Sequence, residues 1–177
     1  MEPSVTDGID LRHYTQGDLA QIRPTLLDVH ADAYADRMDE EFVQRFPWFV
    51  DHWGNKPGFS CVIVYSAGEP AGFSYGAPND PGTEWWREYI TEPAEASTFA
   101  VSELMLRVKW RKQGLSERLH EALLSPRAEA HATLTVDTRR PRLQALYESW
   151  GYRKIGQRQP FADSPLYAVM LRSLRTA

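Results

Sequence analysis

Two periods of apolar residues alternate along this chain. Leu19, Ile22, Leu26, Val29 and Ala33 recur at steps of three and four, the spacing that lines one face of an α-helix. Pro24 lies inside that stripe, so a kink or a restart is expected there. Phe42, Phe46, Phe49, Val50 and Trp53 form a second helical stripe, and 55–58 reads as a turn. The run "SCVIVYS", 60–66, is apolar without alternation, as in a strand buried on both faces. "AGE" then turns the chain into "PAGFSYG", a hairpin. Residues 79–96 read as a Pro-containing loop with a helical turn at "TEWWREYI". "STFAVSELMLRV", 97–108, is the longest strand candidate, and 10–14 is a shorter one. Past Gly114, Leu115, Leu119 and Leu123 share a helix stripe, and "ATLTV", 132–136, is another strand. Pro141 suits a first helical turn, Leu143, Leu146, Tyr147 and Trp150 form the stripe behind it, and Gly151 is a stop. "YRKIGQ" and "LYAVMLRSL" close the chain as strands.

The order is strand, two helices, three strands, helix, strand, helix, two strands. That pattern gives an α/β class, a single domain over 1–177 with a mixed sheet of six to seven strands and about four flanking helices. The formal charge of -4 argues against general nucleic-acid binding. No apolar run approaches the roughly 20 residues that span a bilayer, so no membrane partner is expected. Residues 1–10 are polar and acidic, unlike a signal peptide. A single cysteine, Cys61, sits in an apolar run and fits a reducing, cytoplasmic setting. The five histidines show no paired spacing for a metal.

Against that acidic background, Arg107, Lys109, Arg111 and Lys112 cluster immediately before Gly114 and a helix. A helix start offers unpaired N–H groups and partial positive charge, and a glycine lets a ligand approach the backbone. The stretch therefore has the chemistry of an anion site, while a solvated basic turn accounts for the same residues. Neither G-x-x-x-x-G-K-[ST] nor a G-x-G-x-x-G following a strand occurs.

The region resembles the GNAT superfamily of acyl-CoA N-acyltransferases, whose mark is an apolar strand, then [Q/R]-x-x-G-x-[G/A], then a helix. Here "LMLRVKW" is followed by Arg111, Lys112, Gln113, Gly114, Leu115 and Ser116. The strand, the helix with "LY" and the "GY" ending of 134–152 are similar to a second family mark, and the hairpin "CVIVYSAGEPAGFSYG" to its second and third strands. Ser116 replaces the usual Gly or Ala, and Arg140 stands where the family often has Asn.

The resemblance implies a GNAT-like sheet with a splayed central strand, and acetyl-CoA or another short acyl-CoA as cofactor. Its pyrophosphate would rest on the amides of 111–116, with Arg140 as a second contact. Its pantetheine would run beside Leu106, Arg107 and Val108. Tyr147 would be the general acid that protonates the leaving thiolate, although its place in an apolar stripe also fits a core residue. Glu103 shares a strand face with Phe99, Val101 and Met105. It is a base candidate if desolvated, with a water chain as the alternative base, or else it is a structural carboxylate paired with Arg or Lys. Of the adjacent Trp85 and Trp86, only one can face a given interior, and one is expected to line the acceptor pocket. Asp28, Asp32 and Asp36, at steps of four, read either as a solvated acidic face or as a field attracting a cationic amine. The implied activity is acetylation of a small-molecule amine by direct attack in a ternary complex. Acetylation of protein N-termini or lysines, and an acyl-CoA sensor without catalysis, are its rivals. A homodimer is left open.

Overall fold

The structure, a computed structural model, describes residues 8–91 and 96–174. Parts of the expected N-terminal segment and of the 79–96 loop lie outside these. Seven strands form one mixed sheet in the order β1-β2-β3-β4-β5-β7-β6. They are β1 (Ile9–Thr15), β2 (Ser60–Ser66), β3 (Glu69–Pro78), β4 (Thr98–Leu106), β5 (His131–Asp137), β6 (Arg153–Arg158) and β7 (Tyr167–Ser173). Among the described residues five α-helices accompany them: α1 (Leu19–Ala33), α2 (Glu41–Gln44), α3 (Phe46–Gly54), α4 (Leu115–Leu124) and α5 (Pro141–Ser149). Among the described residues no helix is long and apolar enough to cross a membrane.

The contacts group into two compact units. One holds the chain up to Gly76 with Glu103–Pro126, and the other holds Ala77–Ser102 with the chain from Arg127 on. In the first unit β1, β2 and β3 form an antiparallel meander, with Cys61 opposite Tyr75 and Ile63 opposite Phe73. Cys61, Val62, Ile63 and Val64 are all fully buried, as the unbroken apolar run requires. Phe46 of α3 stacks on His30 of α1 at 4.0 Å, and on Phe73 of β3 at 6.2 Å. In the second unit β7 pairs antiparallel with both β5 and β6. The parallel pairing of β4 with β5 covers only Thr98–Ala100 against His131–Thr133, although both strands continue beyond it.

Two helix expectations need correction. Pro24 causes no restart: α1 runs through it, with buried Ile22 and Leu26 on either side. The stripe 42–53 is two helices. Pro47 falls in the first turn of α3 and cannot supply a helical N–H, so the chain ends α2 at Gln44 and starts again at Phe46. Helix α1 ends at Ala33, and so Asp36 lies in the turn beyond it. Only Asp28 and Asp32 share the helical face.

Gly72 of β3 has a packing reason for lacking a side chain. A Cβ there would come within 2.4 Å of Leu106 Cδ2 and 2.5 Å of the Met105 carbonyl oxygen. The second of these atoms is backbone and cannot rotate away. Gly72→Ala should therefore destabilise the protein by roughly 1–3 kcal/mol, the usual range for an overpacked site. Urea unfolding should show a lower midpoint at unchanged slope, and an unchanged midpoint would mean that the two strands separate freely here.

Candidate active site

Strand β4 ends at Leu106, two residues before the sequence pattern suggests. Arg107 follows it, its N–H donating to the Ala71 carbonyl at 2.8 Å. Its guanidinium is turned inward and engaged on three sides. Nε donates to the Pro70 carbonyl at 2.8 Å, one terminal nitrogen to Asp28 at 2.7 Å and the other to Asp32 at 3.2 Å. The Arg107 side chain keeps 14% of its exposure. The guanidinium is thus engaged by protein groups and not free for a phosphate, whereas the reading of Arg107 as a backbone neighbour of pantetheine does not involve its side chain. The same contacts change the reading of the acidic stripe: Asp32 and Asp28 face an arginine, which accounts for their spacing without an ammonium ligand.

Val108 is not on the strand either. It opens a 3-10 turn, Val108–Trp110, and is 55% exposed. Arg111 donates to the Ala33 carbonyl at 3.1 Å, placing a cation on the C-terminal end of α1 where the helix dipole favours it. Lys109 reaches Glu69 at 3.4 Å. Of the four cations, Lys112 alone has no ion pair or hydrogen bond from its side chain among the described residues.

The turn itself retains the features of an anion cradle. Lys112 and Gly114 both have left-handed backbones, with φ of 62° and 77°. Gly114 caps α4, and a Cβ on it would meet no atom within 4 Å. The first-turn amides of Leu115, Ser116 and Glu117 have no acceptor among the described residues. Gln113 is exposed and its side chain donates to the Lys109 carbonyl at 3.3 Å. Open space over a glycine, unpaired amides and one available lysine fit a pyrophosphate group.

Glu103 lies on the apolar face of β4, in step with buried Phe99, Val101 and Met105. The Ser74 hydroxyl donates to its backbone carbonyl at 2.8 Å. Among the described residues its carboxyl has neither an ion-pair partner nor a hydrogen-bond donor, which removes the paired-carboxylate reading. Although the residue is only half-buried, protein atoms crowd its carboxyl, and desolvation pushes it up to about 8.

Tyr147 sits in α5, buried, with Trp150 and Tyr152 edge-on to its ring at 5.3 and 6.0 Å. Arg140 precedes α5, exposed, its N–H donating to the Asp137 carbonyl at 2.9 Å. The two tryptophans part, as adjacency requires. Trp86 is fully buried against Ala96, Ala130 and Leu171, and its indole N–H donates to Thr98 Oγ1 at 2.7 Å. It is a core residue, so its assignment to an acceptor pocket falls. Trp85 stays at the surface, 37% exposed, beneath the guanidinium of Arg158 at 3.9 Å. Arg107 as a tie and Arg158 as a stacked cation are both invisible in the sequence, because their partners are distant along the chain.

Residues 87–168 match the family model described as an acetyltransferase (GNAT) domain. No curated protein sequence matches the chain. Among solved structures, the chain is similar to Ard1 from Thermoplasma volcanium, at 15% identity and a TM-score of 0.64, covering 96% of this chain and 99% of that one. It is similar to Arabidopsis thaliana NAA60 in complex with acetyl-CoA, at 15% identity and a TM-score of 0.66, covering 94% and 98%. A third is Arabidopsis thaliana Naa50 in complex with the bisubstrate analogue CoA-Ac-MVNAL, at 15% identity and a TM-score of 0.57, covering 94% and 99%.

The state of Glu103 has a consequence for stability. Its native carboxyl holds a proton up to about pH 8, whereas an unfolded chain releases it near 4.5. Between those values the native state binds more protons, so stability falls as pH rises. Melting temperatures measured from pH 5 to pH 8 should decline more steeply for the wild type than for Glu103→Gln. Parallel profiles would show that the carboxyl is solvated.

Proposed function

We propose that this chain, which matches the GNAT acetyltransferase model over 87–168 and shares its fold with solved structures over nearly its whole length, is an acetyltransferase of that family and acetylates a primary amine of a small molecule. The reading treats its two units as one working domain, operating in the cytoplasm. The observation that carries it is Glu103, an unpaired, desolvated carboxyl on the strand that leads into the glycine turn. Such a group ionises near the working pH and is matched to removing a proton from an ammonium.

Acetyl-CoA supplies an activated thioester when bound. The amides of Leu115, Ser116 and Glu117, the open face of Gly114 and the Lys112 ammonium would hold its pyrophosphate. The backbone near Leu106 would hold its pantetheine and the developing oxyanion. Arg140, exposed before α5, is a second phosphate contact by residue type. Glu103 takes a proton from the acceptor nitrogen. Tyr147 gives its hydroxyl proton to the departing sulfur.

A second reading, acetylation of protein N-termini, is favoured by the likeness to NAA60 and to the Naa50 bisubstrate complex. One screen separates the two. Small amines and short peptides are incubated with acetyl-CoA, thiol release is followed, and products are weighed by mass spectrometry. Turnover of small amines well above peptides supports the proposal; the reverse order favours the second reading. Thiol release from neither, with normal cofactor binding, leaves an acyl-CoA sensor.

On the best acceptor, kcat/KM should rise with an apparent pKa near 8, and Glu103→Gln should lose that limb. Tyr147→Phe should lower turnover by roughly ten- to a thousandfold, with cofactor affinity in calorimetry little changed. Wild-type turnover in that variant, with chemistry rate-limiting, would make Tyr147 a packing residue.

A further inference from the structure

Arg158 differs from seven other arginines of this chain in its surroundings. Arg12, Arg23, Arg37, Arg87, Arg107, Arg127 and Arg139 each lie within ion-pair distance of a carboxylate. Arg158 has no ion pair and no side-chain hydrogen bond among the described residues. Its Nε is enclosed by protein and lacks an acceptor. Its guanidinium is held 3.9 Å from the ring centroid of Trp85, which is itself 37% exposed.

A guanidinium fixed over an indole has lost much of its rotational freedom, and its edge remains available to donate. A solvated arginine at the end of a long mobile stem offers neither advantage. The surroundings add to the field. Strand β6 carries Arg153, Lys154 and Arg158 and no acidic residue. The nearest carboxylate in register, Asp137, is separated from it by β7, since both Arg158 and Asp137 pair with Tyr167. That Asp137 carboxylate is already bound by Arg139 at 2.8 Å.

The three paired residues form one row across β6, β7 and β5. This row lies at the end of the sheet from which the chain leaves Asp137 and enters α5, the helix of Tyr147. We propose that Arg158, seated on Trp85, binds a carboxylate of the acceptor, so that the preferred amine also carries an acid group. The inference rests on the acetyltransferase reading for the word acceptor, and on Arg158 and Trp85 alone for the carboxylate. A planar carboxylate matches the fork of donors that an arginine presents.

The test uses the full chain with tryptophan labelled for nuclear magnetic resonance, Trp85 being assigned through Trp85→Phe. N-acetylglycine and N-acetylglycinamide are titrated separately; they differ only in the acid group. The acid should shift the Trp85 indole resonance saturably and bind roughly ten- to a hundredfold tighter than the amide, the range for a hydrogen bond to a charged group. Arg158→Gln should erase that difference with an unchanged melting curve, because the Arg158 side chain makes no hydrogen bond among the described residues and its backbone pairing with Tyr167 is kept. Arg158→Lys should keep part of it. Equal binding of the two probes, no shift at Trp85, or a preference that survives in Arg158→Gln overturns the proposal. Turnover of glycine and glycinamide is measured in parallel. A carboxylate preference in binding with no turnover of any amine would refute the acetyltransferase reading and leave the site standing.

Discussion

Arg107 ties together three elements of the first unit. Its backbone and Nε close onto Ala71 and Pro70 of β3, and its terminal nitrogens reach Asp28 and Asp32 of α1. The two carboxylates stay partly in water, at 73% and 40% exposure, so the ion pairs add only modest stability. Their effect is geometric. A guanidinium donates in a fixed plane, so Arg107 fixes where β4 ends relative to α1. From that point the chain must turn, and Arg111 makes a second tie to the last carbonyl of α1. The left-handed residues Lys112 and Gly114 complete the turn, and α4 begins with its first amides unpaired. The cradle is shaped by cations that are not themselves part of it.

The same strand carries the opposite electrostatic condition a short distance earlier. Glu103 lies in step with Phe99, Val101 and Met105, on the side that alternation assigns to the core. A carboxyl on such a face is normally paired or replaced by an apolar residue, because ionising it there is costly. Here it is neither, so its proton is held to about pH 8. The arrangement lowers stability as pH rises from about 4.5 to about 8. That cost is the kind of local conflict expected where a group is kept for chemistry rather than for packing.

Much of the architecture was legible because period and punctuation are local signals. The unbroken run 60–66, the stripe on α1 and the stop at Gly151 each appear where the pattern put them. The misreadings came where one local rule overrode another. Pro47 divided a continuous aromatic stripe into two helices, and the 3-10 turn at Val108–Trp110 followed β4 where the apolar pattern still ran on. Within the site, the glycine turn and the face of Glu103 were readable from residue type and alternation. The roles of Arg107 and of Asp28 and Asp32 were not, since these residues are 75 and more positions apart in sequence. Charge counted along the chain made four free cations and an acidic field. Charge paired in space leaves one lysine at the turn and offsets part of that field.

This redistribution bears on what the acceptor looks like. An uncompensated acidic face would favour a cation at long range, and the pairing of Asp28 and Asp32 with Arg107 weakens that argument. Asp36, Asp39 and Glu41 remain exposed beyond α1, where solvent screens them within about 8 Å at physiological salt. Arg158 on Trp85 is a different kind of feature: one fixed, unpaired charge backed by an aromatic surface. Short-range, directional groups of that kind discriminate between ligands, whereas diffuse fields mainly change encounter rates. The structure therefore moves the search for specificity away from the acidic residues of the first unit, toward the end of β6.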